Sequence, residues 1–212
     1  MSPYACNARN AVRATMKQRQ LEIILEQLKA FPSPSAALEQ YGTPAPIAAQ
    51  LLHFAFLRGD IWHKRVVDLG CGTGILAIGA ALLGATATGV DADERALEVA
   101  QLNTGAVGAN VKWVQSSIQD FQGTYDTVVM NPPFGAQKRH SDRPFLLKAT
   151  EIGKVVYLLH SAIVDDFVRR FLAPNRVTDT IKVELPLAHS FKFHKQEVRY
   201  IDAILYRIET IS

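Results

Sequence analysis

Cysteine is scarce in this chain: Cys6 and Cys71 are the only two among 212 residues. They lie too far apart to suggest a zinc knuckle, and one sits inside a glycine-rich turn, so no metal site is expected. Long apolar runs are missing as well. No stretch offers the ~18 uninterrupted apolar residues that a membrane-spanning helix needs. No succession of charged, apolar and small residues marks a secretory leader. These absences lead to the expectation of a reduced, cytoplasmic protein. Neither sign of charge dominates: 23 Lys and Arg against 20 Asp and Glu give a formal net charge of +3. That balance permits a polyanionic partner without demanding one. Repeats, low-complexity tracts and interior linkers are also lacking. What is present is enough apolar residue, 48% of the chain, for one full core, with ~70% of the unfolded surface hidden on folding.

Residues 1–15 lack periodicity and read as a loose extension, which leaves 16–212 as one domain. From Met16 to Lys29, Leu21, Ile24, Leu25 and Leu28 share one helical face. A second helical stretch runs from Pro46 to about Leu57. From Arg65 onward, strand, glycine turn and helix alternate. Strands are expected at 65–69, 86–90, 111–114, 125–130 and 154–159, and helices at 74–83, 94–103, 144–152 and 162–172. Two long strands, 177–185 and 198–208, close the chain with no helix between them. Alternation of this kind implies a parallel sheet covered on both faces, and the terminal pair must contribute an antiparallel strand.

Chemistry is densest at Asn131-Pro132-Pro133-Phe134, directly after the apolar run Tyr125-Asp126-Thr127-Val128-Val129-Met130. Each proline fixes φ and removes an N–H donor, so a stiff loop remains that offers acceptors. These are the Asn131 amide oxygen and the carbonyls of Asn131 and Pro132, with the ring of Phe134 next in line. Two acceptors beside a flat ring suit a planar substrate carrying an exocyclic amine, although a strand-ending Asn-Pro-Pro is also ordinary turn chemistry.

A second concentration is Asp68-Leu69-Gly70-Cys71-Gly72-Thr73-Gly74, at the end of the first expected strand. Glycines there allow a tight turn and close backbone approach to a ligand. The spacing is G-x-G-x-G, not the G-x-G-x-x-G of a dinucleotide site. The acid Asp68 disfavours a pyrophosphate and favours a ligand with a positive centre and no phosphate, such as S-adenosylmethionine. Asp91, ending the second strand, is placed to accept both hydroxyls of a ribose.

With these residues stated, the chain resembles a class I, Rossmann-like S-adenosylmethionine-dependent methyltransferase of the N6-adenine branch. More closely, it is similar to the methyltransferase-like protein 5 family, which methylates adenine in small-subunit ribosomal RNA. The resemblance runs from about Leu38 to Ile208. Its most family-specific carriers are Leu38-Glu39-Gln40-Tyr41-Gly42-Thr43-Pro44 and Ser190-Phe191-Lys192-Phe193-His194-Lys195; the glycine loop, Val90-Asp91-Ala92-Asp93 and Met130-Asn131-Pro132-Pro133-Phe134-Gly135 are shared more widely. It implies an α/β fold with a seven-stranded, mostly parallel sheet, one antiparallel strand and helices on both faces. It also implies that Gln40, Tyr41 and Thr43 close over the methionine end of the cofactor, where the alternative for Thr43 is a helix cap before Pro44. Relatives place an acid after the third strand to bind the cofactor's adenine amine. This chain has Ser116-Ser117 there, so either Ser117 or Asp120 is expected in that role.

Two basic stretches are candidates for holding RNA: Lys138-Arg139-His140 with Arg143, and Lys192-His194-Lys195 with Arg199, the second interleaved with Phe191 and Phe193. Solvated charged turns are the plain alternative. His53 and His160 read as structural, and Trp62 and Trp113 are too scattered for a stacking platform. The family resemblance further implies a small zinc-binding activator of the Trm112 type at the edge of the sheet, on the third strand; there Trp113, expected as an exposed indole beside unpaired backbone, favours a covered surface, and Lys112 as a charge that blunts the edge is the plain alternative. The rival readings are N5 methylation of a protein glutamine, whose loops end in Tyr where this one has Phe134, and a non-catalytic RNA-binding ribosome-assembly factor, against which the intact Asp68, Asp91 and Asn131 count. A nicotinamide dehydrogenase is disfavoured by the glycine spacing.

Overall fold

The alternating strands close into one sheet. A computed structural model describes residues 16–31, 42–134, 139–187 and 199–211. Its strands are β1 (Arg65–Leu69), β2 (Thr86–Asp91), β3 (Val111–Gln115), β4 (Tyr125–Met130), β5 (Gly153–Ser161), β6 (Arg176–Leu187) and β7 (Arg199–Glu209). They lie in the order β3-β2-β1-β4-β5-β7-β6. β1 to β5 pair in parallel, and β7 runs antiparallel to both β5 and β6. A single antiparallel strand in seven is what the helix-free terminal pair requires.

The helices are α1 (Gln18–Leu25), α2 (Ala45–Leu57), α3 (Ile75–Leu82), α4 (Glu94–Val107), α5 (Arg143–Ile152) and α6 (Asp165–Leu172). Successive strand residues face opposite sides, and the core divides accordingly. Val66, Val129, Tyr157 and Leu205 pack with α1, α2 and α3 on one face. Val67, Val128, Leu158 and Tyr206 pack with α5 and α6 on the other. This two-sided burial explains why the central strands read as continuous apolar runs rather than as alternating ones.

Several boundaries move for local reasons. Helix α4 continues past the expected end at residue 103 and stops at Gly108, whose φ of 62° supplies the left-handed turn. β5 is longer than expected because Val155 to Ser161 find partners along β7. The expected helix at 162–172 is a 3₁₀ turn, Ala162–Val164, followed by α6.

Register decides where the site forms. Leu69 pairs with Val90 and Asp68 with Val129, so Gly70, Asp91 and Asn131 emerge together at the carboxyl end of the sheet. The strand order reverses between β1 and β4, and such a switch point opens the crevice in which open α/β sheets bind ligands. β3 is an edge strand, as expected. Trp113, however, is not an exposed indole: it is half-buried, and its ring occupies the space where Cβ atoms on Gly74 and Gly89 would stand. At the opposite end of the sheet, Asp60 accepts hydrogen bonds from Tyr157 (2.6 Å) and Arg207 (2.9 Å), tying β5 and β7 to the lead-in of β1.

Candidate active site

The glycine loop leaves β1 with Gly70, Gly72 and Gly74 at φ of 71°, 52° and 90°. All three lie in the left-handed region, where a side chain is strained. Gly74 serves as the N-cap of α3, and a Cβ there would strike Trp113. The amide of Gly72 donates to Asp91 Oδ2 at 2.8 Å, and that of Asp93 donates to Asp91 Oδ1 at 2.9 Å. Asp91 is thereby fixed across the mouth of the crevice. Burial pushes its carboxyl up, against the lowering effect of these donors.

Asp68 is 2% exposed and accepts from the Ala77 amide at 3.0 Å. Burial, opposed by that amide and reinforced by the charge of Asp91, pushes its carboxyl from an ordinary 3.8 up to about 8. A buried acid held this way is a place for a cation. Asn103, which sequence reasoning missed, is also buried. Its side-chain amide donates to the carbonyls of Thr73 and Lys29, each at 3.0 Å, and its oxygen accepts from the Lys29 amide at 2.8 Å. A polar residue on the inner face of α4 was the only local sign of that role.

Across the crevice, Asn131 leaves β4, and its side-chain nitrogen donates to Thr43 Oγ1 at 3.0 Å. Thr43 is buried just ahead of α2 and does not cap it: Pro44 holds the N-cap position and no side chain bonds there. Phe134 is half-buried, and its ring lies nearly parallel to that of His160. Beyond β3, Ser117 Oγ donates to Asp120 Oδ2 at 2.7 Å. The two residues expected as alternatives are therefore neighbours, with Asp120 the richer acceptor.

Arg139 is exposed, and Arg143 is laid over the rings of Phe167 and Phe171 at 5.2 and 5.8 Å from their centres. Gln40, Tyr41, Lys138, Phe191, Lys192, His194 and Lys195 lie outside the described residues. Among the described residues, no cluster of His, Cys, Asp and Glu is suited to a metal ion.

S-adenosylmethionine fits this donor set. It carries a cation for Asp68, ribose hydroxyls for Asp91 and no phosphate to be repelled by either acid, and the glycines leave the backbone open to close approach. Relatives agree with that chemistry. The methyltransferase small domain family matches residues 47–150. The rRNA N(6)-adenosine-methyltransferase METTL5 of Danio rerio is 37% identical over 86% of this chain and 93% of its own length. The Drosophila melanogaster protein of the same description is 34% identical over 92% and 98%. Among solved structures, PH1948 of Pyrococcus horikoshii superposes with a TM-score of 0.84 at 41% identity, over 93% of this chain and 100% of that one. By identity, coverage and fold, the chain belongs to the METTL5 family of class I, S-adenosylmethionine-dependent methyltransferases.

Proposed function

We propose that the chain methylates N6 of an adenine in small-subunit ribosomal RNA. The observation that carries this reading is the hydrogen bond from Asn131 to Thr43. With its nitrogen committed to a hydroxyl, the amide presents its oxygen as an acceptor that no described residue occupies, beside Phe134. The substrate named for the Danio and Drosophila relatives supports the same reading.

S-adenosylmethionine, when bound, supplies a methyl group on a cationic sulfur. Gln40, Tyr41 and Thr43 are assigned to its methionine end, Asp68 to its amino group, Gly70, Gly72 and Gly74 to backbone approach, Asp91 to the ribose, and Ser117 with Asp120 to the adenine amine. Adenine N6 is a poor nucleophile because its lone pair is delocalised into the ring. Accepting a hydrogen bond from each N6–H, by Asn131 Oδ1 and the Pro132 carbonyl, favours a pyramidal nitrogen with a directed lone pair. Pro133 keeps the loop stiff, so most of the rate comes from positioning. No strong base is needed, since the proton becomes acidic only after transfer. The target base has to leave its stack, and Phe134 receives it, with stacking worth ~1–3 kcal/mol. Lys138 and Arg139, with the stretch containing Phe191, Lys192, His194 and Lys195, are assigned to the RNA backbone.

Mapping of ribosomal RNA from cells lacking the protein tests this. One N6-methyladenine should disappear, and it should return with the wild-type chain but not with Asn131→Ala. Unchanged methylation in the deleted strain refutes the reading. A partner belongs to the same proposal. Among the described residues β3 pairs only with β2, which leaves its outer edge for strand addition by a Trm112-like zinc protein. Co-expression should yield a complex more active than the chain alone; a fully active monomer indifferent to that protein refutes the partnership.

A further inference from the structure

The apolar run of β5 ends on His160, a buried polar residue with no part in the chemistry above. Its side chain is 1% exposed and both ring nitrogens are occupied. The backbone nitrogen of Ser161 lies 2.9 Å from Nδ1 and can only donate, so Nδ1 is the acceptor. The proton of the neutral ring therefore sits on Nε2 and is donated to Asp142 Oδ2 at 3.2 Å. With no free lone pair, the ring cannot take a proton from a reacting nitrogen. What it offers is a flat face. It lies against Phe134 with ring centres 5.1 Å apart and planes 13° from parallel.

Chain order gives the contact its meaning. Phe134 is the last residue of the stiff loop that leaves β4, and Asp142 immediately precedes α5. His160, on the neighbouring strand, therefore holds both Phe134 and Asp142: the first by stacking, the second by a hydrogen bond. Asp142 is itself anchored, being 5% exposed with its carbonyl accepting from the Leu146 amide at 3.1 Å. A phenyl ring has two faces. His160 covers one of them, and a ring packed on one face loses the freedom to tilt.

We propose that His160, held by Asp142 and the Ser161 amide, is a positioning residue that fixes the plane of Phe134 and through it the plane of the adenine stacked on the opposite face. This rests on the reading that Phe134 receives the base. A tilted adenine directs its N6 lone pair away from the methyl group, so the effect falls on turnover and not on cofactor binding.

The experiment compares wild type with His160→Ala, His160→Phe, Asp142→Asn and Asp142→Ala. Turnover is measured on purified small-subunit ribosomal RNA from a strain lacking the protein, and S-adenosylmethionine affinity by calorimetry. His160→Ala should lower kcat by about 10- to 100-fold, the cost of a small misplacement of reacting groups, with cofactor affinity unchanged. His160→Phe keeps a ring face and should recover part of the loss. Asp142→Asn keeps an acceptor for Nε2–H and should stay near wild type, whereas Asp142→Ala should not. Near-normal kcat in His160→Ala, or a loss shared equally by cofactor affinity, overturns the proposal. If His160→Ala does not fold, the two Asp142 variants decide, and equal turnover in both overturns it. A wild-type chain that leaves this RNA unmethylated refutes the functional reading itself and takes the proposal with it, an outcome distinct from an active wild type with indifferent variants.

Discussion

Thr43 and Asn131 form the contact on which the proposed chemistry turns, and its energetics are those of a single hydrogen bond. Without the hydroxyl, the Asn131 amide loses the bond that, among the described residues, distinguishes its two orientations. Thr43→Val keeps the shape and removes the acceptor, so kcat should fall about tenfold or more, and Thr43→Ser should restore most of it; methyl transfer under saturating substrates is the measurement. Asp68 gives a second prediction at this scale. Its folded pKa of about 8 lies above its ordinary 3.8, so the unliganded fold binds a proton that the unfolded chain releases over that interval. Stability from this group is fully present below about 4 and is lost as pH rises through about 8. A cationic ligand favours the ionised carboxylate, so binding below pH 8 expels the proton. Cofactor affinity should rise with pH by up to about tenfold per unit in that range, and Asp68→Asn should flatten the slope. Calorimetry in two buffers of different ionisation enthalpy counts the proton released.

Elements fit one another here through what glycine omits. The ring of Trp113 on β3 lies where side chains on Gly89 of β2 and Gly74 of the loop would be. Gly89→Ala should destabilise the fold by about 1–3 kcal/mol through overpacking, and combining it with Trp113→Leu should recover part of that in urea titrations. The same contact shows what sequence can and cannot reveal. Strand positions and the glycine loop were readable because their signals are consecutive residues: apolar runs, G-x-G-x-G, Asn-Pro-Pro-Phe. The direction of Trp113 was not, because it depends on a glycine one strand away. Nor were the bonds from Asn103 to Thr73 and from Thr43 to Asn131, or the stacking of His160 on Phe134. Each joins residues from different elements, and nothing local distinguishes such a residue from an ordinary buried polar one.

At the scale of the whole molecule, the sheet has a working end and a tying end. The carboxyl ends of β1, β2 and β4 carry Gly70, Asp91 and Asn131, while Asp60 gathers Tyr157 and Arg207 from β5 and β7. Arg207 and Asp60 are 11% and 14% exposed at the side chain, and without Asp60 the guanidinium keeps Glu209 at 2.7 Å as its carboxylate partner. Asp60→Ala should cost about 1–3 kcal/mol, read as a shifted urea midpoint, and Asp60→Asn less because an acceptor remains.

The bond between Thr43 and Asn131 spans 88 residues of chain, with β1 to β4 folded between its ends. Of the residues assigned to the cofactor, Asp68, the glycines and Asp91 draw on a much shorter stretch, and only Gln40, Tyr41 and Thr43 share the segment ahead of α2. The donor site and the acceptor site are thus unequal in what they demand of the fold. Any loosening of the segment ahead of α2 frees the Asn131 amide while β1 and β2 keep their pairing. In mild urea, methyl transfer should fade before S-adenosylmethionine affinity does, because local opening precedes global unfolding. Parallel loss of the two would mean that the segment and the sheet open as one unit. Turnover in this fold reports on the integrity of a long-range closure, whereas cofactor binding keeps its contacts in the nucleotide half of the sheet when that closure opens.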